Sequence, residues 1–93
     1  MSRLVARVKM LPAEAGSNME SIITTLRQNP PNGIIVKQSA TEPIAFGLNA
    51  IVADFLLDDA AGEMDRLEHL LKGIPGVGEV EVVFVSRHSV NIK

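Results

Sequence analysis

Residues 3–10 alternate strictly. Leu4, Ala6, Val8 and Met10 fall on one side, and Arg3, Arg7 and Lys9 fall on the other with Val5. That period of two marks a strand with one face on a core and one in water. After Pro12 comes a loop in which Ser17 and Glu20 have the Ser-x-x-Glu spacing of a capping box, so a helix is predicted over 18–28. Met19, Ile22, Ile23 and Leu26 recur at helical spacing, and the prolines of Asn29-Pro30-Pro31-Asn32-Gly33 stop the helix. A second strand is predicted over 34–38, extending to 41, and a third over 47–57, joined as a hairpin through Glu42-Pro43-Ile44-Ala45-Phe46. Asp58-Asp59 ends the third strand. The spacing of Met64, Leu67, Leu70 and Leu71 predicts a second helix over 62–72, with Asp59, Glu63 and Asp65 suited to its positive N-terminal end. Gly73-Ile74-Pro75-Gly76 supplies a stop and a turn. A last strand is predicted over 77–87, with Glu79 and Glu81 facing away from Val80 and Val82, and the tail 88–93 is expected to be loosely ordered.

The order strand, helix, strand, strand, helix, strand is that of the ferredoxin-like α+β fold: βαββαβ, a four-stranded antiparallel sheet with two helices on one face. Right-handed crossovers place the first and third strands centrally and the second and fourth at the edges, where Lys37, Glu79 and Glu81 suit exposure. The expected open face carries Val5, Arg7 and Lys9 from the first strand, and Leu48, Val52, Asp54 and Leu56 from the third. Asp54 is then placed to pair with Arg7 or Lys9.

Length and composition change the picture mainly by exclusion. Ninety-three residues fit one domain spanning 1–93. With 46% hydrophobic residues but only three Phe and no Trp or Tyr, the core must be aliphatic. The absence of cysteine removes disulfides, thiolate nucleophiles and cysteine-based zinc sites. Nine Lys and Arg against eleven Asp and Glu give a net charge of −2, the wrong sign for holding nucleic acid by phosphate neutralisation. Phe55 alone cannot form an RNA-stacking platform. No apolar stretch approaches the roughly 20 residues of a membrane span, so a cytoplasmic, non-membrane protein is expected.

Catalytic signals are weak. His69 lies on the outer side of the second helix and His88 in the tail, and neither has a partner at ligand spacing. The carboxylates Asp58, Asp59, Glu63 and Asp65 could hold a cation, but they lack an EF-hand pattern and already suit a helix N-terminus. No nucleophile sits near a base, so no enzyme mechanism is implied. Two features stand out instead. The hairpin tip Glu42-Pro43-Ile44-Ala45-Phe46-Gly47 is apolar and stiffened where polar turn residues are usual. Phe46 there either anchors a partner's pocket or folds back over the end of the core. Arg87 ends the last strand, where a guanidinium can reach an anionic site or simply stay solvated.

These residues resemble the elongation factor 1-beta family, in its archaeal type. The resemblance runs from Leu4 to Arg87. Its most specific parts are Glu42-Pro43-Ile44-Ala45-Phe46-Gly47-Leu48, Asp58-Asp59, Gly62, and Gly73-Ile74-Pro75-Gly76-Val77-Gly78-Glu79-Val80-Glu81-Val82. It implies the ferredoxin-like fold and guanine nucleotide exchange on the GTPase elongation factor 1-alpha, with no cofactor; the charge balance and apolar run lengths add the expectation of no direct nucleic acid or membrane partner, and a monomer or weak homodimer is expected. In eukaryotic members a lysine near the C-terminus enters the GTPase's magnesium site. Counting along the last strand brings Arg87 onto that position, with Lys93 in the six-residue tail as the other candidate. Phe46 falls on an aromatic that contacts the GTPase elsewhere, so Pro43, Ile44, Phe46, Gly47 and Arg87 form the expected partner-binding set. Met64 stands where a threonine is usual in the family. In this chain order the tip and Arg87 lie at opposite ends of the sheet, about eight residues apart at roughly 3.3 Å each. The alternative is a regulatory module that dimerises through Leu48, Val52 and Leu56 and binds a small metabolite.

Overall fold

The computed structural model describes residues 2–14, 18–31, 33–45 and 47–89; Ser17, Phe46 and Lys93 lie outside them. The chain forms β1 (Ser2–Pro12), α1 (Met19–Gln28), β2 (Ile34–Pro43), β3 (Asn49–Asp58), α2 (Glu63–Lys72) and β4 (Val77–Ser89). The sheet order is β2-β3-β1-β4, every pairing antiparallel, which is the ferredoxin-like arrangement the sequence predicts. Among the described residues, no helix is long and apolar enough to cross a membrane.

The alternating residues of the central strands make the floor of the core. Ala6, Val8 and Met10 of β1 lie beside Ile51, Ala53, Phe55 and Leu57 of β3, all buried. Onto them pack Met19, Ile23 and Leu26 of α1 and Leu67 and Leu71 of α2. These helical positions recur every three or four residues, so each helix turns one stripe inward. Met64 and Leu70 are only partly buried at the rim. Phe55 is the one aromatic in this cluster among the described residues, and the rest is aliphatic, as the composition requires.

Several boundaries differ from expectation. The cap of α1 is Asn18, whose Oδ1 accepts from the Ser21 N–H at 3.1 Å, in place of the Ser17 capping box. β2 runs on to Pro43, and β3 begins at Asn49 instead of 47. Leu48 therefore belongs to the connection and not to the open face of β3. β4 also continues beyond Arg87, because His88 and Ser89 pair with Arg3 and Ser2. The tail expected to be loose from 88 thus adds two residues of ladder.

The alternation of β4 is interrupted twice. Its register against β1 shifts between Arg7 and Val8, leaving Val83 without an opposite residue, and again between Leu11 and Pro12, leaving out Gly78. The Gly78 bulge brings backbones together. A Cβ there would lie 2.8 Å from Ala13 Cα and 2.9 Å from the Pro12 carbonyl oxygen. β2 carries a similar shift at Lys37.

One polar row crosses the open face. In register, Gln38, Asp54, Arg7 and Phe84 stand side by side across all four strands. Arg7 donates to Asp54 through Nε at 2.9 Å and Nη2 at 3.2 Å, and Gln38 donates to the same carboxylate at 3.0 Å. Asp54 is thereby only 7% exposed on a face no helix covers. The Arg7 hydrogen bonds hold its carboxyl below the usual carboxylate range, against the opposing effect of burial. The predicted choice between Arg7 and Lys9 resolves to Arg7; Lys9 instead meets Glu42 at 3.0 Å.

Two outcomes are expected. Replacing Gly78 with alanine forces backbone apart and lowers stability by about 1–3 kcal/mol, measurable by urea unfolding. Asp54→Asn costs about 1–2 kcal/mol at neutral pH, at the modest end because the guanidinium remains half in water. Because the folded-state pKa of Asp54 is depressed, its contribution is present above the unfolded value of about 4 and is lost as pH falls through the lower folded value. The gap between wild type and Asp54→Asn should therefore be constant above about pH 5 and close below about pH 4.

Candidate functional site

The predicted site residues divide between the two ends of the sheet. At one end, Pro43 closes β2 opposite Asn49. The connection is tied by the Ile44 N–H donating to the Leu48 carbonyl at 2.9 Å and the Leu48 N–H donating to the Ala45 carbonyl at 3.0 Å. These bonds make a tight turn with Gly47 inside it at φ +75°, in the left-handed region that favours glycine. Ile44 is 37% exposed, so the tip presents apolar surface. Phe46 lies outside the described residues. The base of the hairpin is pinned to the central strand by the Lys9–Glu42 pair.

Beside the tip, a cleft of about 520 Å³ opens on the uncovered face between the polar row and the hairpin. Arg7, Gln38, Glu42, Pro43, Val52 and Asp54 line it. Sequence reasoning did not find this hollow, because its lining comes from three strands that meet only in the folded register.

At the other end stands Arg87. Its side chain is 68% exposed, and its Nε lies 2.6 Å from Asp59 Oδ2. Arg87 sits opposite Leu4, which sits opposite Leu57. From Leu57 to Asn49 is eight residues along β3, so the guanidinium and the tip are separated by about 26 Å of strand. Pro43, Ile44 and Gly47 are thus gathered at one pole and Arg87 at the other, and no single pocket can hold both sets.

Three of the four carboxylates considered for a cation, all but Asp65, lie against arginines. Asp58 faces Arg3 at 3.9 Å, Asp59 faces Arg87, and Glu63 accepts from Arg66 at 2.9 Å. That last bond holds Glu63 below the ordinary glutamate range. His69 is exposed on α2.

Residues 5–87 match the family described as the EF-1 guanine nucleotide exchange domain. The chain belongs to that family. Three relatives named elongation factor 1-beta are similar to it along nearly their whole length. The protein of Aeropyrum pernix is 36% identical over 88 residues, covering 94% of this chain and 98% of the relative. That of Methanothermobacter thermautotrophicus is 33% identical over 87 residues, again covering 94% and 98%. That of Ignicoccus hospitalis is 32% identical over 90 residues, covering 96% of each. The regulatory-module alternative draws no support from these matches. The exchange-domain match begins on the central strand and ends on Arg87, so it takes in both poles.

Gly47→Ala tests how the tip is built. A Cβ at this position meets nothing within 4 Å, so the whole cost is backbone strain. The expected loss is about 1–2 kcal/mol in thermal or urea unfolding, and Gly47→Asn should recover part of it, since asparagine tolerates the left-handed region.

Proposed function

We propose that this chain is a guanine nucleotide exchange factor for elongation factor 1-alpha, acting by binding and not by covalent chemistry. The observation that carries the proposal is the match of residues 5–87 to an exchange domain. The two-pole geometry supports it. A rigid sheet with an apolar tip at one end and a projecting guanidinium at the other suits a partner with two separate lobes. It does not suit a small ligand.

A protein shifts a GTPase toward its nucleotide-free state only by binding that state better than the loaded one. In this reading Arg87 enters the region where the GTPase holds magnesium and phosphate, and competes there with the cation's charge. Pro43, Ile44, Phe46 and Gly47 make the second contact, an apolar one that holds the complex while nucleotide leaves. The roles differ in kind. The guanidinium acts on the difference between states, and the tip contributes to both alike. Coupling is reciprocal, so GDP with magnesium must weaken the grip of this chain by the same factor that the chain weakens nucleotide binding. No cofactor is required, and a cytoplasmic monomer or weak homodimer suffices.

Release of labelled GDP from elongation factor 1-alpha tests this. Arg87→Ala should lower the maximal release rate by about tenfold or more, the scale of a lost charge-assisted contact. Phe46→Ala should leave the maximal rate nearly intact and raise the half-saturating concentration by about tenfold or more, the scale of one buried aromatic. Wild-type protein that fails to accelerate release at any concentration overturns the proposal.

A further inference from the structure

We infer that Asp59 is a positioning residue that holds Arg87 in the pose required for exchange, an inference that rests on the proposed role of Arg87. β3 ends on Asp58 and a second carboxylate, Asp59, follows at once; the two serve opposite sides of the sheet. Asp58 stands in register with Arg3, on the open side that Arg3 shares with Val5 and Arg7. Asp59, one residue on, meets Arg87, which lies opposite Leu4 on the helix side.

The Val83 bulge creates this meeting. Val80 and Val82 stand opposite Met10 and Val8 and face the helices. Unbroken alternation from them would put Arg87 on the open side, away from Asp59. The extra residue at Val83 reverses the parity, so Phe84 stands with Arg7 on the open side and Arg87 turns to the helix side. The neighbouring acids already have cations of their own: Asp58 has Arg3 at 3.9 Å and Glu63 has Arg66 at 2.9 Å.

The pair is asymmetric in a way that suits positioning. The Asp59 side chain is 23% exposed and fixed where β3 leaves the sheet, while that of Arg87 is 68% exposed. The contact of 2.6 Å is made through Nε. A guanidinium carries five N–H donors, so Arg87 can stay beside Asp59 through Nε and still have donors left for an anionic site. Arginine has many rotamers, and ordering it before encounter removes part of the entropic cost of binding.

The decisive experiment measures GDP release with Asp59→Ala, Asp59→Glu, Arg87→Ala and the double variant Asp59→Ala/Arg87→Ala, with thermal melts to confirm folding. Asp59→Asn replaces Asp59→Ala if the latter does not fold. Asp59→Ala should lower the maximal rate about two- to fivefold, the range of an exposed ion pair, and leave the half-saturating concentration within about twofold. The defect should shrink as salt is raised. Asp59→Glu should recover most of the rate. In the Arg87→Ala background, Asp59→Ala should add nothing. In the free protein, the Arg87 Nε–Hε resonance should move on Asp59→Ala. A full exchange rate for Asp59→Ala overturns the inference, as does an equal loss with and without Arg87. A wild-type rate for Arg87→Ala instead overturns the reading of Arg87 itself, and the single variant reports that outcome separately.

Discussion

The architecture turns on one carboxylate. Asp54 lies on the face of the sheet that no helix covers, yet three hydrogen bonds from Arg7 and Gln38 bury it almost completely. These bonds join β1, β3 and β2 in a single row, and they are satisfied in one register only. A slip by one residue between β1 and β3 would turn Asp54 toward the helices and strand it in an aliphatic core, where an unpaired charge is strongly disfavoured, and a slip between β2 and β3 would take Gln38 away from it. Apolar alternation on the helix side already disfavours slips by one residue, whereas slips by two keep every side chain on its face. The polar row specifies which alignment, and with it the span between the hairpin tip and the end of β4.

Both edge strands deform beside this row. Lys37 is extruded next to Gln38, and Val83 next to Phe84. Bulges at edges raise local twist and blunt a strand's tendency to pair with another chain. Here they also re-aim the side chains further along each strand. Beyond Lys37, Gln38 and Glu42 face the Asp54 and Lys9 side chains, which ties the tip-bearing end of β2 to the centre. Beyond Val83, Arg87 turns toward Asp59. The two poles proposed to grip a partner are therefore both set by irregularities that flank the same row, and their separation comes from sheet geometry and not from loop conformation.

Much of this is legible in the residues. The two periodicities carry the order of elements, and the topology places Val5, Arg7 and Lys9 on the same open face as Val52, Asp54 and Leu56. The separation of tip and Arg87 comes from the same order. Features that alternation cannot express escape such a reading. A bulge leaves no mark in a run such as Val82-Val83-Phe84-Val85, where every residue suits a strand on either side, so the parity of Arg87 is invisible in it. Asn18 and Ser17 are both good caps, and only backbone geometry chooses between them. Gly78 reads as part of a turn, whereas its role is to let β4 and the chain after Pro12 approach to contact distance. The Asp59 pairing depends on the Val83 bulge and could not be found without it. By spacing alone Asp58, Asp59 and Glu63 are equivalent members of one acidic cluster, yet each meets a different arginine.

The presence of arginine instead of lysine at position 87 acquires a physical reason in this setting. A lysine ammonium has three donors on one nitrogen at the end of a flexible stem, and a carboxylate that holds one of them does not fix the direction of the others. A guanidinium spreads its donors around a plane, so one side can be seated on Asp59 while another faces outward. A chain that carries lysine here gains less orientation from an aspartate in the position of Asp59. A chain that carries arginine gains an oriented donor at little cost in attraction. In the proposed role, the residue at 87, the acid just beyond β3 and the parity set by the Val83 bulge therefore work together, the acid and the bulge serving to aim a guanidinium that acts in its own right.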